Sequence, residues 1–177
     1  LSCGNNGMPG QVLIGAKADQ DGNAAFLDST SSENDVLALE ARIGRTLAID
    51  NQYANWYDFS STSPLLEAAW DIAGGRIPMI SWKTDYPGHP PGCATWSAIV
   101  NGQYDAQLVE QAGMIKALGS TVFIRWHYEM EHPQGGNCFY DVDVVKDPVT
   151  AGKEYVAAWD HVYDLFKAQN VTNVEWV

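Results

Sequence analysis

The stretch Thr121–His132, Thr-Val-Phe-Ile-Arg-Trp-His-Tyr-Glu-Met-Glu-His, decides the fold. It starts as an apolar, β-branched run, which reads as a buried strand, and ends in ionisable and aromatic side chains. In parallel α/β proteins the carboxyl ends of strands are where ligands bind. A strand over Thr121–Glu129 therefore carries Glu129 to a working edge. Side chains alternate along a strand, so Arg125, His127 and Glu129 are expected on one face, with Trp126, Tyr128 and Met130 on the other.

Outward from this stretch, short apolar runs alternate with helix-like segments. Val12–Ala16 reads as a first strand, followed by a helix over about 32–43 that Gly44 stops. Thr46–Asp50 reads as a second strand, with a helix over about 64–73 opened by Pro64 in its first turn. Ile77–Trp82 is the third strand, and a helix over about 104–118 ends at Gly119. The fourth strand precedes the longest helix, about 151–168, and Val174–Val177 opens a fifth strand. Strict alternation implies right-handed βαβ units and a parallel sheet. Segments after strands are long and chemically rich (51–63, 83–102, 130–150), whereas those before strands are as short as Gly44-Arg45 and Gly119-Ser120. That asymmetry is the habit of a (β/α)8 TIM barrel. The glycine spacing of a dinucleotide or phosphate loop is missing from Gly15-Ala16-Lys17-Ala18-Asp19. The expectation is one domain over residues 1–177, holding about the first four βα units of a barrel and the start of its fifth strand.

Composition narrows the partners. The chain has 177 residues, 46% of them hydrophobic, enough for one sizeable core. Twenty-two acidic against ten basic side chains give a net charge of −12, which repels phosphate backbones and anionic lipid. Nucleic-acid and membrane partners are not expected, and no apolar stretch is long enough to span a bilayer. No basic region followed by an apolar core opens the chain, so a signal peptide is expected to be absent or already removed. Cys3, Cys93 and Cys138 lack CxxC spacing, which disfavours zinc and thioredoxin-like chemistry. A bridge between Cys93 and Cys138, together with the sequon Asn170-Val171-Thr172, leans towards a secreted protein.

Glu129 is the candidate acid. Glycoside hydrolysis needs a carboxylic acid to protonate the departing oxygen and a second carboxylate across the sugar. Aromatic surroundings raise the pKa of such an acid and a nearby arginine lowers it, so Arg125 is read as orienting a partner carboxylate or the hydrogen-bond network of Glu129. The plainer alternative is a structural ion pair between Arg125 and Glu129. His127, Glu129, Glu131 and His132 lack H-E-x-x-H spacing, and no metal or other cofactor is expected.

Five segments together resemble the amino-terminal half of glycoside hydrolase family 26, the β-mannanase family. They are Val12–Ala16; Leu39-Glu40 through Gly44–Ile49; Gly75–Trp82; Ile99–Asp105 running on through Ala117-Leu118-Gly119; and Phe123-Ile124-Arg125-x-x-x-Glu129-Met130 with Glu154–Tyr163 and Asn173-Val174. The resemblance implies a retaining barrel glycosidase with Glu129 as acid/base and a nucleophilic glutamate from a seventh strand, outside this chain. By itself the chain is then expected to be inactive. The family commonly carries histidine before the acid, Asn-Gly shortly after it, and histidine after the third strand; this chain has Tyr128, Glu131-His132 and Lys83.

The expected activity is endo-β-1,4-mannanase acting on a β-linked polysaccharide or oligosaccharide. The alternatives are a β-1,3-1,4-glucanase or β-1,3-xylanase of the same family, a non-catalytic carbohydrate-binding barrel, or a metal-dependent hydrolase using His127 and His132. Trp82 is expected to stack on a sugar ring, and Arg125, His127, Tyr128 and Tyr140 to line the substrate. Trp56, Tyr57, Tyr86 and Trp96 are read evenly as distal sugar platforms or loop anchors.

Overall fold

In a computed structural model the chain is described at residues 13–16, 29–56, 63–84, 94–128 and 139–177. The elements run β1 (Gly15–Ala16), α1 (Ser29–Ile43), β2 (Ile49–Asn55), α2 (Ser63–Ala73), β3 (Ile77–Lys83) and α3 (Trp96–Val100). They continue with α4 (Asp105–Ala117), β4 (Val122–Trp126), α5 (Pro148–Ala168) and β5 (Val174–Trp176). All five strands pair in parallel, in the order β1-β2-β3-β4-β5. The alternating pattern of the sequence is thus realised as an α/β fold. Strand order never reverses, so this sheet contains no switch point of the doubly wound kind.

Behind β3 and β4 one face of the sheet is apolar and covered by helices. Ile80 and Trp82 of β3 and Ile124 and Trp126 of β4 share one core with residues of α4 and α5 such as Ile115 and Phe166. Tryptophan rings knit it: Trp82 lies 5.9 Å from both Trp56 and Phe166, and Trp126 stacks on Tyr155 at 5.7 Å. The helix ends obey local chemistry. Thr95 caps α3 through a bond from Ala98 N to its Oγ1, and Asp147 caps α5 by accepting from Thr150 N, with Pro148 in the first turn. Gly44 and Gly119 end α1 and α4 at φ +71° and +66°, where a side chain would be strained. At the other end of the sheet, Asn173 Nδ2 donates to the carbonyls of Ile115 and Ser120, tying the start of β5 to the α4–β4 turn.

Three differences from expectation bear on the site. The second strand is shifted to Ile49–Asn55 because the alternation of buried Asp50, Gln52 and Ala54 with half-buried Asn51, Tyr53 and Asn55 continues beyond the apolar run. Its end is held from α4, where Gln111 Nε2 donates to the Trp56 carbonyl at 2.7 Å and Gln107 Nε2 at 3.3 Å. The helix α3 falls inside a segment read as loop, since Trp96 and Ile99 sink its apolar side into the core. The fourth strand stops at Trp126 rather than Glu129: His127 adopts φ +50°, which ends the pleat.

Behind β2 the helix side is polar. Arg76 forms a two-pronged pair with Glu40, Nε to Oε1 at 2.8 Å and Nη2 to Oε2 at 2.7 Å, and Glu40 Oε1 also accepts from Leu47 N. The bond from Arg76 holds the Glu40 carboxyl below the ordinary range. Asp71 on α2 is fully buried, and neither carboxyl oxygen has a hydrogen-bond partner. Burial, and then the neighbouring charge of Asp50, pushes its pKa up to about 8 from 3.8, so the group is protonated at neutral pH.

Candidate functional site

The parallel register stacks the other face of the sheet in levels. Ile49 lies beside Ile77; above them come Asn51, Met79, Phe123 and Glu175; then Tyr53, Ser81 and Arg125; and last Asn55 beside Lys83. Most of this face is half-buried, with Ser81 and Lys83 buried, and it passes from apolar to polar towards the carboxyl ends of the strands. That is where a parallel α/β fold presents its chemistry.

A hydrogen-bonded chain crosses three strands there. Arg125 Nε donates to Ser81 Oγ at 3.0 Å, and Ser81 Oγ donates to Asn51 Oδ1 at 2.6 Å. The bond orients the guanidinium on this face. The Tyr128 ring collects two cations: Lys83 Nζ lies 4.0 Å from its centroid and Arg125 Cζ 5.1 Å. Tyr53 meets Tyr128 edge to face at 4.9 Å and also faces Arg125. The cluster therefore gathers positive charge, fixed donors and two phenol rings at the carboxyl-end edge of this face.

The structure brings Arg125 and Tyr128 together on this face. The turn at His127 is the reason: a residue in left-handed conformation resets the alternation, so Tyr128 joins Arg125 instead of opposing it. The expected grouping of Arg125 with His127 is corrected by the same turn. His127 is 3% exposed, on the helix side, with its ring 4.6 Å from Trp96 and 4.5 Å from Phe139. Neither ring nitrogen has a hydrogen-bond partner, and burial, with the charge of Lys83 second, lowers its pKa to about 3. It is a neutral packing residue, not a substrate contact.

Trp82 is likewise corrected. Its position on β3 points it to the helices, where it is 0% exposed, so no sugar ring reaches it. Tyr140 is half-buried, and its described ring contact is with Trp96, in the outer aromatic group that includes Tyr155. Trp56 and Trp96 are buried core residues rather than platforms. Glu129 lies outside the described residues, directly after Tyr128 in the chain. So do Glu131 and His132, on which the metal reading depends, as well as Tyr57, Tyr86 and all three cysteines.

Sequence reasoning missed Asn51, Tyr53 and Ser81 and met Lys83 only as a departure from the family. Residues 50–55 read Asp-Asn-Gln-Tyr-Ala-Asn, with polar side chains on both faces, so no period-two pattern marks the extension of the strand.

The chain is 30% identical over 154 residues, 86% of its length, to a protein named Endoglucanase H from Acetivibrio thermocellus. The match spans 16% of that relative's own length. No protein-family model matches the chain.

Proposed function

We propose that the chain contributes to the catalytic domain of a retaining, endo-acting glycoside hydrolase whose strands close into a (β/α)8 barrel. The observation that carries this reading is the polar, aromatic cluster at the carboxyl ends of β2, β3 and β4, leading straight to Glu129. Consecutive strand order with helices on one face supports closure, since an open doubly wound sheet reverses its order. The similarity to a protein named an endoglucanase supports the reaction class. The finer assignment to glycoside hydrolase family 26 rests on the motif likeness.

In this reading Glu129 protonates the leaving glycosidic oxygen and later takes a proton from water. A second carboxylate, from strands beyond this chain, stands about 5–5.5 Å away as nucleophile. Substrate is a β-linked polysaccharide. The relative's name puts β-glucan first, and the family likeness adds β-1,4-mannan and β-1,3-xylan. A secreted location suits a polymeric substrate.

The test is release of reducing ends from these three polymers by the complete protein carrying this chain. Glu129→Gln is expected to lower kcat by about 10²–10⁴-fold, the usual contribution of a general acid/base. Full activity in that variant sinks the assignment. Polysaccharide binding without hydrolysis, unchanged in Glu129→Ala, would instead mark a non-catalytic binding barrel.

A further inference from the structure

We propose that His127 is a positioning residue for glycoside cleavage: its left-handed turn and its buried ring fix the base of the stretch that carries Glu129. The inference rests on the glycosidase reading, in which Glu129 is the acid, and His127 itself touches no substrate.

Two costs meet at this residue. A non-glycine side chain at φ +50° is strained relative to an ordinary strand position. Among the described residues the only other non-glycine at positive φ is Asn170, between α5 and β5, and asparagine tolerates that region. His127 is also buried with neither ring nitrogen hydrogen-bonded, a penalty that an apolar side chain would avoid. Burial alone favours phenylalanine or leucine, and the backbone angle alone favours glycine or asparagine. Histidine meets both demands, because it joins a ring to more than the usual tolerance of positive φ. A residue that carries two costs points to a constraint other than stability.

The contacts show what those costs secure. The ladder with β3 reaches His127, whose N–H donates to the Trp82 carbonyl at 2.7 Å, and the turn follows at once. Trp126 and His127 therefore sink consecutively to the helix side, and Tyr128 meets Lys83 on the inner face. Glu129 is the next residue, so its backbone sets out from this turn. The His127 ring meanwhile lies edge to face against Trp96 and Phe139, and Trp96 N donates to the Phe139 carbonyl at 2.8 Å. Phe139 stands at the far end of the stretch 129–138. The contact between His127 and Phe139 thus pins together the two ends of the segment that holds the acid, with Trp96 of α3 bound to both. A general acid works only within hydrogen-bond reach of the leaving oxygen, and a segment pinned at both ends has fewer courses open to it.

The test uses the complete protein and two substrates: an oligosaccharide of whichever of the three polymers is cleaved, and its 2,4-dinitrophenyl glycoside. The dinitrophenolate leaves without a proton, so only the first substrate needs the acid. Glu129→Gln calibrates the comparison, since it should lose kcat/KM on the oligosaccharide and largely keep it on the aryl glycoside. In His127→Ala the oligosaccharide is expected to lose at least about tenfold more than the aryl glycoside, part of the roughly 10²–10⁴-fold a general acid contributes. His127→Gly removes more side chain yet accepts the left-handed angle, so its ratio should lie nearer the parent's. Phe139→Leu leaves the turn untouched and loosens its anchor; the same lopsided loss is expected in smaller measure, and it decides the matter should a His127 variant not fold. Each ratio is internal to one preparation, so partial loss of folded protein does not disturb it. Equal losses on both substrates in His127→Ala and Phe139→Leu overturn the inference, while a lopsided loss in Glu129→Gln keeps the glycosidase reading standing. A loss in His127→Gly as lopsided as in His127→Ala overturns it too. Equal losses in Glu129→Gln, or no cleavage of either substrate by the unaltered protein, sink both readings together.

Discussion

The two faces of β3 and β4 share a backbone and little else. On one face Ile80, Trp82, Ile124 and Trp126 are sealed under α4 and α5; on the other Ser81, Lys83 and Arg125 form a bonded, charged surface with Tyr53 and Tyr128. Both faces are rich in aromatic rings, so an aromatic residue near a strand end says nothing about ligand until its parity is known. Trp82 and Lys83 are neighbours in sequence and belong to different jobs.

The sharpest way to break this contrast is a pair of truncations. Trp82→Ala is expected to destabilise the fold by about 3–5 kcal/mol, the cost of removing a large buried aromatic, whereas Tyr53→Ala on the open face should cost about 1 kcal/mol. Urea unfolding midpoints of the two variants measure the difference, and equal losses would erase the distinction between the faces. A smaller effect, about 3 kcal/mol, is expected from Glu40→Ala, which leaves the Arg76 guanidinium buried without its partner. If that variant unfolds at the same midpoint as the parent, the polar patch behind β2 is not part of what holds α1 against the sheet.

The gentlest test is pH. In the unfolded chain Asp71 ionises near 3.8, while in the folded chain it keeps its proton up to about 8. A raised folded pKa gives stability that is greatest below the lower value and declines as pH rises through that window. The slope is up to about 1.4 kcal/mol per pH unit. Asp71→Asn keeps the shape and removes the titration, so its stability should be flatter between pH 4 and 8 and should overtake the parent towards the upper end. A parent curve that rises over that interval would contradict the assignment.

Much of the architecture could be read directly from the chain. Apolar runs punctuated by Gly44 and Gly119 placed the helices because those glycines occupy positions other residues resist. The site was legible only in part. Arg125 and Tyr128 were selected for their chemistry, but their grouping depended on a single backbone angle at His127 that no periodicity announces. Trp82 was misread because ring chemistry was weighed before strand parity. Asn51 and Tyr53 stayed hidden because the polar end of β2 lacks the apolar run by which strands are usually recognised, while Ser81 lay within the recognised third strand and was passed over beside Trp82.

The grip of Gln111 and Gln107 on the Trp56 carbonyl has a consequence for how such a protein can change. It clamps the root of the connection leaving β2 to a helix of the next βα unit, through side chains that lie outside that connection. Exchange of residues 57–62 is therefore expected to leave the end of β2 in place. New recognition can be grafted there without renegotiating the scaffold.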